Sequence, residues 1–450
     1  MPTDLKVKRG LKLNLKGDAE RNLVNLGIPK KVGVKPPDFY GTVPKLIYKK
    51  PDVHVKAGDE LFYSKYSDKT RFVSPVSGNI TAINRGAKRR VLSIEIEPDQ
   101  EQQYKDFGKS DPLKLSGDEV KEKVFSSGCG AFIKQRPYDV LADANDTPKS
   151  IFISTYNSAP LGASFEFILN DKMEDFQTGL NALTKLTPGK VYVGVDKNTQ
   201  SDFHNIENAE IIRVSGPHPA GNVGVQIHNT DPINMGERVW TLRPEDVAII
   251  GHLFNTGKYY PERTIAITGN AAPDHSYYRT IIGAPINFVL PEKVDDGQIR
   301  IISGDVLTGE ALDFDDYVNF FSNELCLIPE GNKHRMFGWL PFKDNNIPSM
   351  HKTSFSWLFP KRKYDVNTNT NGEERALVVT GEMEEVFPMD IYPMQLLKAC
   401  MVGDIEKMEN LGIYEVIPED FALVEYVNTS KVNAQQIIRE ALDQVLLEVG

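Results

Sequence analysis

Few side chains in this sequence are spaced for chemistry, and those that come nearest fall in four places. Val124-Phe-Ser-Ser-Gly-Cys-Gly-Ala-Phe-Ile-Lys-Gln-Arg-Pro137 sets Gly128 and Gly130 around Cys129, just ahead of a β-branched run. A flavin or dinucleotide site needs glycines there so that backbone amides can reach the phosphates. Here Gly130 is followed by bulky residues, Ala131, Phe132, Ile133, Lys134 and Gln135, so the loop reads as a structural connection. His218 and His228 have the chemistry of metal ligands, but no third His, Cys or acidic residue completes a ligand spacing. Cys129, Cys326 and Cys400 are isolated, which fits a reducing compartment and argues against disulfides and cysteine-held metal. The densest aromatics, Phe337, Trp339, Phe342, Phe355, Trp357 and Phe359, read as core before they read as a docking face.

The elements that must position these residues follow from periodicity. A strand is expected over 151–155. After it, Leu161, Phe165, Ile168, Leu169, Met173, Phe176, Leu180, Leu183 and Leu186 recur by threes and fours, predicting one long amphipathic helix over 161–186. Thr187-Pro-Gly189 stops it, and 191–195 is the returning strand of a right-handed βαβ unit. A further strand over 210–214 leads to the loop holding His218, and a helix over 244–255 starts with Pro244 near its first turn.

Upstream, 28–98 is a run of short strands with turns at Ala57-Gly-Asp59 and Ser77-Gly-Asn79, a small all-β sandwich. Its V-x-x-G-D and P-x-x-G-x-I pieces resemble lipoyl- and biotinyl-type domains. Those carriers present a modified lysine at a hairpin tip, which would fall on Lys69; the alternative is a solvated turn lysine. Downstream, T-x-x-G at Thr280, G-x-P-I at Gly283 and I-x-G-D-x-L-x-G at Ile302 resemble the soluble-ligand-binding β-grasp (SLBB) module. The fold class expected is thus multidomain, α/β and α+β. A basic arm (1–27) precedes a barrel-sandwich (28–98), a Rossmann-like βαβ domain without a flavin loop (99–258) and a β-grasp domain (259–335). An aromatic-rich connector (336–380) leads to a helical tail (381–450) with helices capped by Asp404 and Asn433.

Composition excludes several functions. With no apolar window near the ~18 residues a membrane span requires, any membrane association must be peripheral. The first ten residues have no apolar core, so no secretory signal is expected. Net charge is −10, yet residues 1–50 hold 12 Lys+Arg against 4 Asp+Glu, leaving −18 for the rest. The acidic remainder argues against nucleic-acid binding. The basic start either faces an acidic partner or anionic lipid headgroups, or is merely solvated.

The order sandwich, βαβ, β-grasp, helical tail resembles RnfC and, more distantly, the NADH-oxidising flavin subunit of respiratory complex I. The nearest resemblance is to the NqrA family, which belongs to the Na+-translocating NADH:quinone oxidoreductases. The carrying residues are Ser127-Gly128 with Arg136-Pro137, Asn255-Thr-Gly257, Ile302–Gly309, Phe337-Gly-Trp339, Thr368–Gly372 and Pro388–Pro393. Flavin-bearing relatives have G-x-G-G-A-x-F-P and E-x-E-P; this chain has Gly128–Arg136 and Tyr156-Asn-Ser-Ala-Pro160, lacking both carboxylates. Aligned on C-x-x-C-x-x-C-x-x-x-C-P, the tail places Leu377, Thr380, Met383 and Phe387, then Pro418, Phe421, Val424 and Asn428, at cysteine positions.

The resemblance implies a cytoplasmic, peripheral subunit on the inner bacterial membrane that binds no cofactor itself and contributes no catalytic residue. NAD(H), flavins and iron–sulfur centres belong to other subunits, and the membrane-embedded ones are its partners. Na+ transport and quinone reduction belong to the complex. For a quinone site in this chain, the expected contacts are His275, Tyr277 and Tyr278, or Trp339 and Trp357. The competing readings are a stand-alone flavoprotein NADH dehydrogenase and a β-grasp ligand-binding protein outside any complex.

Overall fold

Residues 150–256 fold as their periodicity predicts, with one interruption. In the computed structural model, which describes residues 3–290, 294, 297–331, 348 and 355–449, Ser150–Ser154 and Val191–Asp196 pair in parallel, Ile151 opposite Val191. The predicted long helix between them is instead two, Phe165–Ile168 and Met173–Leu183. The break falls where polar side chains leave to hold another domain. Asp171 makes a bidentate pair with Arg279 (2.6 and 2.8 Å), and Lys172 reaches Glu245 at 3.2 Å and Glu262 at 2.9 Å. Tertiary ion pairs here override local helical periodicity.

These strands belong to a seven-stranded sheet. In order it runs Thr3–Lys6, Glu210–Ser215, Val191–Asp196, Ser150–Ser154 and Val239–Leu242, all parallel, then antiparallel Lys134–Arg136 and Val140–Leu141. On one face helices Met173–Leu183 and Pro244–Thr256 cross closely at glycines: a Cβ on Gly251 would sit 1.7 Å from the Asp175 carbonyl oxygen. The other face packs Phe152, Ile212, Val214 and Val239 into one apolar cluster with the C-terminal helices.

Residues 3–27, expected as part of a basic arm, are instead built into two sheets. Thr3–Lys6 is the edge strand of the seven-stranded sheet, and Leu23–Gly27 pairs in parallel with Tyr277–Ile281 at the edge of a second sheet. The signal was the period-two pattern Leu5, Val7, then Leu11, Leu13 and Leu15, masked by intervening lysines. Val7 and Leu15 are buried. Asp4 takes Lys197 and Arg213, each at 2.8 Å.

The barrel-sandwich forms from two antiparallel sheets, Val32–Val34, Val91–Pro98, Gly78–Arg85 and Val53–Val55 facing Pro44–Leu46, Glu60–Ser64 and Arg71–Val73. Phe62 and Phe72 stack between them at 4.5 Å. The second large sheet is SLBB-like, with Glu310–Leu312, Ile299–Ser303, Glu324–Pro329, Glu262–Thr268, Tyr277–Ile281 and Leu23–Gly27 in order.

The tail comprises helices Glu382–Val386, Pro393–Val402, Ile405–Asn410, Ala422–Val427 and Ala434–Glu448. Asp404 caps as predicted, accepting from the Lys407 amide. Asn433 does not cap; Glu425 instead accepts from the Gln435 amide at 2.9 Å.

Candidate functional site

Parallel sheets offer ligand room outside the carboxyl ends of their strands. Here Ser150–Ser154 delivers Ser154, Tyr156 and Asn157, Glu210–Ser215 delivers His218 and Asn222, and Val239–Leu242 delivers Arg243. Asp305, Thr308 and Glu324 of the SLBB-like domain and Ile417–Glu419 of the tail close the other side, leaving a cleft of about 340 Å³. Phe132, Phe165 and Phe321 supply its apolar wall.

Backbone and serine hydroxyls fix the imidazole of His218. The Gly221 amide donates to Ser158 Oγ (2.8 Å), and the same hydroxyl lies 3.1 Å from His218 Nδ1 in hydrogen-bond contact. His218 Nε2 is buried without a partner. Burial holds the imidazole down at about 4, against the attraction of Asp305. Asn222, buried beside it, also leaves Nδ2 unpartnered. Glu324 accepts from the Ala163 amide at 3.0 Å, while burial and then Asp305 push its carboxyl up to about 8. Among the cleft's residues His218 and Asn222 thus keep unpartnered buried nitrogens and Glu324 a carboxyl protonated near neutrality, while Lys134 and Arg243 add positive charge. Unpartnered nitrogens, a carboxylic acid and nearby cations together suit a ligand bearing acceptor oxygens.

At the base of the cleft Arg136 pairs with Asp420 at 2.8 Å, both almost wholly buried, and its second terminal nitrogen lies 3.8 Å from Glu419. This pair joins the α/β sheet to the tail. A Cβ on Gly224 would fall 2.4 Å from Arg136, so the helix Val223–Thr230 needs glycine there to admit the guanidinium.

The glycine loop is closed by packing. Gly128 has φ 90°, and a Cβ there would lie 2.4 Å from a Val73 methyl of the barrel-sandwich. One on Gly130 would meet the Phe125 ring at 2.5 Å. Cys129–Phe132 is a buried 3-10 turn, and burial pushes the Cys129 thiol up to about 12. The cavity against the loop holds only about 20 Å³, room for one water.

His228 does not join His218. Its Nδ1 faces Glu415 at 2.7 Å and its Nε2 takes the Asp390 amide at 2.9 Å, so both ring nitrogens tie the tail down. Among the described residues no group of three or more His, Cys, Asp or Glu is arranged to hold a metal. Lys69 is exposed at a hairpin tip whose Ser67 leans on Asp143 at 3.3 Å.

The expected quinone contacts do not converge. Tyr277 and Tyr278 are neighbours on one strand and enter opposite apolar clusters. Tyr277 Oη accepts the Ser164 amide (3.0 Å), and Tyr278 Oη donates to Asp274 (2.5 Å). His275 faces the Gly269 carbonyl at 3.1 Å. Trp339 lies outside the described residues. Trp357 and Phe359, expected as core, are 52% and 55% exposed. Sequence reasoning missed Glu324, although a carboxylate opening the apolar run Glu324-Leu-Cys-Leu-Ile328 was a signal. Ser158 and Asn222 carried none, because their role depends on where two loops meet.

At the tail's aligned cysteine positions Met383, Phe387, Phe421 and Val424 meet in one buried apolar cluster, with the Phe387 and Phe421 rings 5.1 Å apart. Leu377 is half-buried, Thr380 exposed and Asn428 buried. Together these features define a multidomain scaffold with a polar cleft at its sheet edge and a glycine loop sealed by packing.

Three family models match in chain order: "NqrA N-terminal barrel-sandwich hybrid domain" over residues 5–99, "NqrA second alpha/beta domain" over 115–259 and "NQRA C-terminal domain" over 264–313. The NqrA protein of the Na(+)-translocating NADH-quinone reductase of Hahella chejuensis is 35% identical, covering 98% of this chain and 99% of that protein. Those of Haemophilus influenzae strain 86-028NP and a Marinomonas species are each 33% identical; the alignments cover 98% and 97% of this chain and 98% of each relative. The chain belongs to the NqrA family, one of the subunits of Na(+)-translocating NADH-quinone reductases. An NAD+-reducing [NiFe]-hydrogenase in the H2-reduced state overlays 76% of this chain and 63% of its own at 10% identity and TM-score 0.39, too slight a likeness to argue from.

Proposed function

We propose that this chain is a cofactor-free, peripheral subunit of a Na+-translocating NADH:quinone reductase, docked on membrane-embedded partners at the cytoplasmic face. Within that assembly NADH oxidation, quinone reduction and Na+ transport are carried by the complex, and this chain contributes no catalytic residue. The observation that carries the reading is the end-to-end match to proteins named as the NqrA component of such reductases. No helix of the described residues is long and apolar enough to cross a membrane, in keeping with peripheral attachment. Flavin and iron–sulfur chemistry is assigned to other subunits because the glycine loop is occupied by Val73 and Phe125 and the tail has apolar side chains where thiolates would be needed.

Where the family's quinone touches this chain, the cleft is the better host than the tyrosines. His218 Nε2 and Asn222 Nδ2 are buried without partners, and Phe132, Phe165 and Phe321 line the same cleft. Pull-down from solubilised membranes tests the role in the complex: the other reductase subunits should co-purify, and recovery of the chain alone would refute it. A photoreactive quinone should label cleft residues in the complex and lose that label in His218→Ala. Labelling confined to other subunits would remove quinone from this chain.

A further inference from the structure

Two basic stretches some 345 residues apart lie side by side. The strap 11–16 runs along 360–366: Tyr364 donates its amide to the Asn14 carbonyl (2.9 Å), and the Lys16 amide returns to Tyr364 (3.0 Å). Asn14 Nδ2 reaches the Pro360 carbonyl at 2.8 Å. Leu15 and Tyr364 turn inward into one apolar cluster, anchoring both segments. What they leave outside is cationic. Lys12, Lys16, Lys361, Arg362 and Lys363 are all exposed, against Asp18 and Asp365, which pair with Lys363 and Lys16. Arg362 lies over the Tyr364 ring at 5.6 Å.

Directly before these cations stand three consecutive large apolar residues in the open. Trp357, Leu358 and Phe359 are 52%, 52% and 55% exposed, and Leu358, Phe359 and Pro360 line a shallow groove with Lys361 and Arg362. Single exposed apolar residues need no explanation; three together, beside a surface with more cations than anions, do. Lysine is depleted at the centre of protein–protein contacts. Tryptophan beside Lys and Arg, with short apolar reach, is instead the composition of a segment lying in a bilayer interface. The apolar reach enters the headgroup boundary while the cations meet the negative surface potential.

We propose that this surface, Trp357, Leu358 and Phe359 with Lys12, Lys361 and Arg362, rests directly on anionic lipid. It gives the basic beginning of the sequence a partner and adds a lipid contact to the protein contacts proposed above. The two are separable, since lipid binding is measured on the chain alone and assembly of the complex on membranes.

The test is sedimentation of the full chain with phosphatidylcholine vesicles with and without phosphatidylglycerol. Binding is expected only with phosphatidylglycerol, weakening as salt rises. Lys361→Glu with Arg362→Glu should weaken it by at least roughly 25-fold, about five-fold per cation lost. Trp357→Ser with Phe359→Ser should weaken it by about ten-fold or more. Since these side chains are mostly in solvent, both variants should melt with the parent. No binding to anionic vesicles, or equal binding by parent and both variants, would overturn the proposal. In the assembled complex, a photo-crosslinker placed at 357 should label lipid. Crosslinks to protein alone would assign the surface to a protein partner and overturn it as well.

Discussion

The tail core and the cleft at the strand ends meet around the Arg136–Asp420 pair, and their interiors are filled differently. In the tail, Met383, Phe387, Phe421 and Val424 fill the centre, and stability comes from apolar burial. In the cleft, His218 Nε2 and Asn222 Nδ2 are desolvated without protein partners, and Glu324 is held neutral. Polar groups left in that state cost stability. The tail also buries unpartnered polar atoms, Asp420 Oδ1 and Asn428 Nδ2, but its centre is closed by apolar side chains while the cleft stays open. The contrast separates a packed region from an open polar cleft, the region proposed to bind.

The sharpest way to break the contrast is to cut the shared pair. Arg136→Met leaves Asp420 charged and buried and should cost about 3–5 kcal/mol in urea unfolding. Arg136→Met with Asp420→Asn should recover much of this, because the uncompensated charge is gone. If both variants lose the same amount, the guanidinium acts through packing and the two regions are not joined electrostatically.

Next in size is the pH dependence of the cleft. The His218 imidazole falls from 6.5 to about 4, so over that window the unfolded chain binds the extra proton and stability rises with pH. The Glu324 carboxyl rises from 4.5 to about 8, so there the folded chain binds the extra proton and stability falls as pH rises. Each slope is about 1.4 kcal/mol per pH unit. The two cancel in their overlap. His218→Asn should therefore expose a decline that already begins near pH 4.5, and Glu324→Gln should remove the decline above 6.5. Chemical denaturation across pH reads both. Unchanged profiles would mean the two groups are solvated and the cleft is ordinary surface.

Smaller effects test the sealed loop and the tyrosines. Gly128→Ala forces a side chain into a left-handed φ and against Val73, and should cost roughly 1–3 kcal/mol in thermal melts. A neutral outcome would mean the loop is open enough to receive a ligand. Tyr278→Phe should cost about 1 kcal/mol through the lost bond to Asp274 and leave quinone photolabelling unchanged.

Much of this was legible in the sequence. The parallel strands, the helix opening at Pro244 and the Asp404 cap follow from period and end signals. The apolar residues at the aligned cysteine positions needed no structure at all. Three readings failed for a common reason: a long-range partner outvoted the local pattern. Arg279 broke the helix at Asp171, sheet edges claimed the basic start, and Glu425 replaced Asn433 as a cap. The cleft was illegible because its members come from stretches scattered between 132 and 435, and Ser158, His218 and Glu324 acquire meaning only from where those stretches meet.

The measurement closest to the central claim is cofactor content of the purified polypeptide after incubation with flavin mononucleotide, iron and sulfide. With Val73 and Phe125 in the glycine loop and phenylalanines where thiolates would stand, neither a visible flavin band nor acid-labile sulfide should remain after gel filtration. Stoichiometric retention of either would contradict the account.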